Sequence, residues 1–200
     1  MKYWSKLILV PVLAGTLFSC SQQKNSPADR YFESGQYELA VQTYTESLQT
    51  NPTDVKILYN RGRAYQEMGE FGKAQADFES ALAQEPNNFQ VLLSLANVQI
   101  QQKNYASALL YASKAEEIPG APAMASFLKG RALHHMGMTD EALKAYGNAI
   151  QLDDEFAQAY FNRGMLKIAL EMKRQACEDF KLASVLEYPG AQEALDNYCK

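Results

Sequence analysis

Histidine is nearly absent from this chain of 200 residues, which has two, His134 and His135, side by side. Neighbours on a helix point about 100° apart, so these imidazoles cannot share one metal ion as an i, i+4 pair can, and they read as solvated residues. The sequence has no H-E-x-x-H, no G-x-S-x-G, no phosphate-binding loop and no glycine-rich turn after a strand. Zinc-protease, serine-hydrolase, P-loop and dinucleotide chemistry are left without their residues. Positive charge is also thin: there is no run of Lys or Arg, and the formal net charge is −4. That argues against nucleic acid as a partner, because such binding is driven by phosphate neutralisation. Paired acids at Glu116-Glu117 and Asp153-Asp154 read as solvated charge, and Met136, Met138, Met165 and Met172 as packing rather than a cofactor box. No cofactor, metal or enzymatic activity is expected. What the chain does have is ordinary globular composition, 47% hydrophobic and 21% charged, enough for one domain with a core.

The opening stretch, MKYWSKLILVPVLAGTLFSC, places Lys2 and Lys6 before an apolar run from Leu7 to Phe18 broken only by Pro11, Gly15 and Thr16. This is the shape of a signal peptide, and the run is too short for a helix across a bilayer core, which takes about 20 residues. Leu17-Phe18-Ser19-Cys20 resembles the lipobox of bacterial lipoproteins, with Phe18 where a small residue is usual. The resemblance implies cleavage before Cys20 and a lipid on its thiol, making 1–19 the signal peptide and 20–25 a short polar tether. Because no Asp follows Cys20, it also implies anchoring to the outer membrane, facing the periplasm. A cleaved signal peptide that leaves Cys20 a plain thiol, or a fortuitously apolar start, is the alternative.

One phrase occurs twice, GRAYQEMGEFGKA at 62–74 and GRALHHMGMTDEA at 130–142, 68 residues apart. The true period is half that distance. Ala40, Ala74, Ala108, Ala142 and Ala176 recur every 34 residues, followed at a constant offset by Ser47, Ala81, Ala115, Ala149 and Ala183. Tyr44, Phe78, Ala112, Tyr146 and Phe180 lie between, and Ala28, Gly62, Ala96, Gly130 and Gly164 stand upstream. Small residues at these places suit two antiparallel helices whose backbones approach closely, with the aromatics filling the gaps. Gly35, Gly69 and Gly137 are placed to end the first helix in a left-handed cap, where the other two units have Lys103 and Glu171. Pro52 and Pro86 mark turns between units, and Ser26-Pro27 reads as the cap and first residue of a short opening helix.

The 34-residue period resembles the tetratricopeptide repeat family, over residues 26–188, in five units beginning at about 21, 55, 89, 123 and 157. The resemblance implies an all-α fold, a right-handed superhelical solenoid of about five helix pairs. Units one and five are the least regular, the latter with Glu171, Lys173 and Tyr188 where a Gly, an aromatic and a Pro are usual, as befits terminal repeats. Ala191, Ala194, Leu195 and Tyr198 at helical spacing make 189–200 a capping helix. Cys177 and Cys199, an even pair in a chain read as exported, invite a disulfide that staples this helix to the last unit, contributing about 3 kcal/mol on the chain-entropy account. Two reduced thiols packed as small hydrophobes are the alternative.

In tetratricopeptide arrays the first helix of each unit lines a concave groove with a stripe at helical spacing. The resemblance therefore implies a partner-binding groove that includes Tyr59, Arg63, Asn97, Phe127, Arg131, His134, Phe161 and Met165. Arg63 and Arg131 come from the two repeated phrases, each one turn from an aromatic, a composition suited to recognition. The expected ligand is a protein, or an extended or helical peptide with acidic and apolar side chains. In the competing reading the arginines serve solubility and the aromatics serve packing between repeats. The carboxylate clamp of chaperone-binding members does not carry over, since it wants Lys where this chain has Tyr59, Leu93, Phe127 and Phe161. The expectation is a non-enzymatic, lipid-tethered scaffold or adaptor for protein partners in the bacterial cell envelope. A self-assembling structural lipoprotein, and an envelope enzyme built around Arg131 and His134, are the alternatives.

Overall fold

The computed structural model describes residues 26–200, with eleven α-helices and no strand among them. The expected signal peptide, the Cys20 anchor and the tether lie outside the described residues. The helices run in pairs: α1 (Pro27–Glu33) with α2 (Tyr37–Thr50), α3 (Val55–Glu67) with α4 (Phe71–Gln84), and α5 (Phe89–Gln101) with α6 (Tyr105–Glu116). Two further pairs follow, α7 (Ala123–His135) with α8 (Thr139–Leu152) and α9 (Ala157–Ala169) with α10 (Lys173–Val185), and then α11 (Ala191–Tyr198). Each helix packs on its chain neighbours, and α5 additionally meets α3 and α7. First helices therefore form an inner layer and second helices an outer one, the arrangement of an α-solenoid. Among the described residues no helix is long and apolar enough to cross a membrane.

Side-chain caps open the early helices. Ser26 and Asp29 form a reciprocal capping box at α1, with Pro27 in the first turn. At α3 the Ile57 amide donates to Asp54 at 3.0 Å, and at α5 the Val91 amide donates to Asn88 at 3.2 Å. The turn inside every pair closes in one way. The backbone N–H of Gln36, Glu70, Asn104, Met138 and Met172 returns to a carbonyl of the last helical turn at 2.8 to 3.0 Å, and the residue before each is left-handed. Glycine takes that place in three units, but Lys103 (φ 62°) and Glu171 (φ 59°) adopt it too, against the steric resistance of a Cβ.

The small residue and the aromatic of the repeat act as one interlock. A Cβ on Gly62, Gly130 or Gly164 would lie 2.7 Å from the ring of Phe78, Tyr146 or Phe180. No side chain fits there, so the ring of the second helix rests directly on the backbone of the first. Where the aromatic is missing, at Ala112, its partner is Ala96, and both alanines are buried. At the end of the stack α11 lays Ala194 against Ala176 and Phe180, and a Cys177–Cys199 disulfide ties it to α10.

Candidate ligand groove

The inner helices α3, α5 and α7 share a concave depression of about 400 Å³. Residues three and four apart lie on one helix face, so Gln90, Leu93, Ser94 and Asn97 enter it from one side of α5, and Met124, Phe127, Leu128 and Arg131 from one side of α7. Tyr59 and Gln66 of α3 and Gln158 of α9 complete the lining. Leu93 and Met124 supply apolar surface while Phe127 and Leu128 are buried, the amides of Gln66, Gln90, Asn97 and Gln158 supply hydrogen bonds, and Arg131 is the one charged side chain among the lining residues. Such a surface can bury an apolar side chain, pair with a peptide backbone through its amides and favour an anion near Arg131.

Of the eight residues expected in the groove, Tyr59, Asn97, Phe127 and Arg131 meet here. Phe127 is only 1% exposed and lies between Tyr146 and Phe156, with ring centroids 5.9 and 4.9 Å away, so it belongs to the core as much as to the lining. Arg63 is exposed and turned elsewhere, its guanidinium 4.6 Å over the ring of Phe32 in the first unit and 6.0 Å from that of Tyr59. Phe161 packs against Phe180 and Tyr188 at 5.8 and 4.9 Å, and Met165 against the buried cluster of Ala176, Phe180 and Ala194. Both serve the end of the stack that α11 covers. His134 is half-buried rather than solvated, 5.8 Å from the ring of His135, which stacks at 4.6 Å on Tyr105. Burial first, and then the His135 charge, push the His134 pKa below the usual imidazole value. Among the described residues no group of three His, Cys, Asp or Glu side chains could hold a metal ion.

Sequence reasoning missed the buried ion pairs within the units. Arg61 donates twice to the carboxylate of Asp77, at 2.8 and 2.6 Å, and Arg163 twice to Asp179, at 3.0 and 2.7 Å. Asp179 also takes Lys167 at 2.8 Å. Both aspartates are buried, and the forked pairing satisfies both carboxylate oxygens. A signal existed, since Arg61 and Arg163, like Asp77 and Asp179, stand three periods apart. Glu116, expected to be solvated, instead accepts from Ser126 at 2.5 Å and Lys129 at 2.7 Å. Burial alone would raise its carboxyl pKa, but these bonds and the Lys129 charge outweigh it and hold the value below the usual range.

The profile of the TPR repeat matches residues 28–69 and 130–167, and that of the tetratricopeptide repeat matches 59–122. The chain belongs to the tetratricopeptide repeat family. Human Tetratricopeptide repeat protein 6 is 30% identical to it over 158 residues, which cover 76% of this chain and 30% of that protein. This chain thus spans less than a third of that curated relative. Among solved structures, MamA is 21% identical with a TM-score of 0.74, covering 84% of this chain and 98% of its own. YrrB, a TPR protein with an unusual peptide-binding site, is 24% identical with a TM-score of 0.67, covering 84% of this chain and 88% of its own. At these identities the two likenesses establish the fold alone.

Proposed function

We propose that this protein is a non-enzymatic scaffold that holds an extended peptide segment of a partner protein in the depression between α3, α5 and α7. A lipid on Cys20 tethers it to the outer membrane on the periplasmic side. The observation that carries the first part is the lining itself: apolar surface from Leu93 and Met124 beside four amide side chains and Arg131. A catalytic reading has no comparable support, because the lining offers Ser94 as a nucleophile but neither His, Lys nor a carboxylate as its base. The peptide-binding site of YrrB is consistent with this use of the fold. The tether rests on Leu17-Phe18-Ser19-Cys20 and the polar SQQKN after it. A rigid surface held at a membrane raises the local concentration of whatever it binds.

The test compares the lipidated protein with a Gln66→Glu, Asn97→Glu variant, which puts two acids into the depression without touching the buried core. Partners captured from detergent-solubilised membranes are identified by mass spectrometry, with circular dichroism as the control for folding. The variant should lose the partner at unchanged helicity, and an identical set of partners in both samples refutes the groove. For the anchor, Cys20→Ala should move the protein from the membrane to the soluble fraction; continued membrane fractionation rejects the lipid.

A further inference from the structure

Units one and four carry the same three positions with one exchange. In unit one Tyr44 of α2 donates its hydroxyl to Asp29 Oδ1 at 2.6 Å, and Asn60 of α3 donates Nδ2 to the same oxygen at 3.2 Å. Three periods further on, Tyr44 becomes Tyr146, Asn60 becomes Asn162, and Asp29 becomes Arg131. The tyrosines sit alike, Tyr44 in one buried cluster with Ala28 and Tyr146 against the equivalent Gly130. The two donors are retained, and the carboxylate they served is gone.

The donors show the loss. Tyr146 is fully buried, and its hydroxyl oxygen is the one buried side-chain N or O without a hydrogen-bond partner among the described residues. Asn162 Nδ2 is turned onto the Gln158 carbonyl of its own helix at 2.8 Å. Native chains rarely leave a buried hydroxyl unpaired, and packing does not require this one, since Phe78 and Phe180 fill the equivalent places without it. Arg131 has no ion-pair partner among the described residues and lines the depression, so it is the member of the three that opens onto the proposed ligand, with the Tyr146 hydroxyl buried behind the lining.

We propose that Arg131, Tyr146 and Asn162 form a carboxylate subsite of the groove, taking an acidic group of the bound peptide into the place that Asp29 fills in unit one. The inference rests on the peptide-groove reading and names the chemistry of its ligand. Exchange of Asp for Arg does two things at once: it removes the resident acid and adds a forked donor suited to an incoming one. Unit one shows how such a nest treats a carboxylate. Burial alone would raise the Asp29 pKa, but the bonds from Tyr44 and Ser26 outweigh it, and the anion is favoured. In unit four the acid reaches the closed hydroxyl as the Arg131 side chain swings outward and Asn162 leaves the Gln158 carbonyl.

Two experiments on the full chain test this. Arg131→Asp supplies the acid from within, as in unit one; Tyr146→Phe should then lower Tm in that background and leave or raise it in the wild type. Equal effects in both backgrounds overturn the shared geometry. Amidated hexapeptide pools with Glu or Gln fixed at one position, and the Gln pool with a free C-terminal carboxylate, are then titrated against the protein. Either the Glu pool or the free-carboxylate pool should bind about tenfold more tightly than the amidated Gln pool, a preference that Tyr146→Phe removes. Which of the two is preferred tells a side-chain acid from a terminal one. Equal affinities, or a preference that survives Tyr146→Phe, overturn the subsite and leave the groove standing. Failure of all three pools to bind overturns both.

Discussion

Units two and three lie side by side in the stack and close their helix pairs in opposite ways. Between α3 and α4 the ring of Phe78 presses on the bare backbone of Gly62, and Arg61 forks onto the buried Asp77 beside it. Between α5 and α6 the same four places hold Ala96, Ala112, Leu95 and Tyr111, with neither an interlock nor an ion pair. Yet both pairs turn through the same backbone hydrogen bond, 2.8 Å from Glu70 to Tyr65 and from Asn104 to Gln99. The period thus specifies how closely two helix backbones must run, and two unrelated sets of side chains meet that demand. In unit two each part depends on its partner within the pair; in unit three two alanines and Leu95 need no such partner, and Tyr111 finds its partner in Glu79 of the preceding unit.

The sharpest way to break this comparison is to empty the interlock. Phe78→Ala should cost about 3–5 kcal/mol in chemical denaturation, because it leaves a cavity over Gly62. Gly62→Ala alone should cost about 1–3 kcal/mol by overpacking against the ring, whereas in the Phe78→Ala background it should stabilise, recreating the alanine pair of unit three. A Gly62→Ala penalty that is the same in both backgrounds would show that ring and glycine are not coupled.

Next in size is the ion pair. Asp77→Ala strands Arg61 in a partly buried position and should cost about 3 kcal/mol. Arg61→Leu together with Asp77→Tyr copies unit three and should come close to wild-type stability by the same assay. A double variant as damaged as Asp77→Ala would mean that unit two cannot use its neighbour's solution.

Smaller is the turn, where the roles reverse and unit three is the strained one. Lys103→Gly relieves a left-handed backbone and should gain about 1 kcal/mol, while Gly69→Lys in unit two should lose a similar amount. Thermal melts that shift in the same direction for both would contradict this.

The smallest effect concerns the border of unit three with unit four, where Glu116 carries the ion pair that the interior of unit three lacks. Its pKa is lowered in the folded chain, so its stabilisation is complete above the ordinary carboxylate range and is lost as pH falls through the lowered value. Glu116→Gln should therefore be less stable than wild type at neutral pH, and the gap should narrow on acidification below about pH 4. A gap independent of pH would assign the loss to packing instead.

Legibility followed the range of the physics. The recurrent alanines, the glycine turns and the Ser26-Pro27 opening were readable because each expresses a constraint on the local backbone or on an adjacent helix. Asp77 and Asp179 were readable in principle from their repeat positions, but an isolated Arg and Asp on two helices look like surface charge until the pairing is seen. Four of the eight residues expected in the groove line the depression, and helical spacing cannot express what decides which. Phe127 and Phe161 occupy equivalent stripe positions, and each is drawn into packing by neighbours from other elements, Phe156 for one and Tyr188 for the other.

By itself, then, the sequence determined an all-helical stack of repeated pairs, because a period of small residues and caps dictates backbone spacing wherever it occurs. Only the tertiary structure decided which inner-face residues open onto a common depression, that Arg63 turns to Phe32, and that Tyr146 keeps a hydroxyl with no acid to receive it. Those facts depend on side chains that come from different helices, and burial and pairing are settled between such neighbours rather than within one helix.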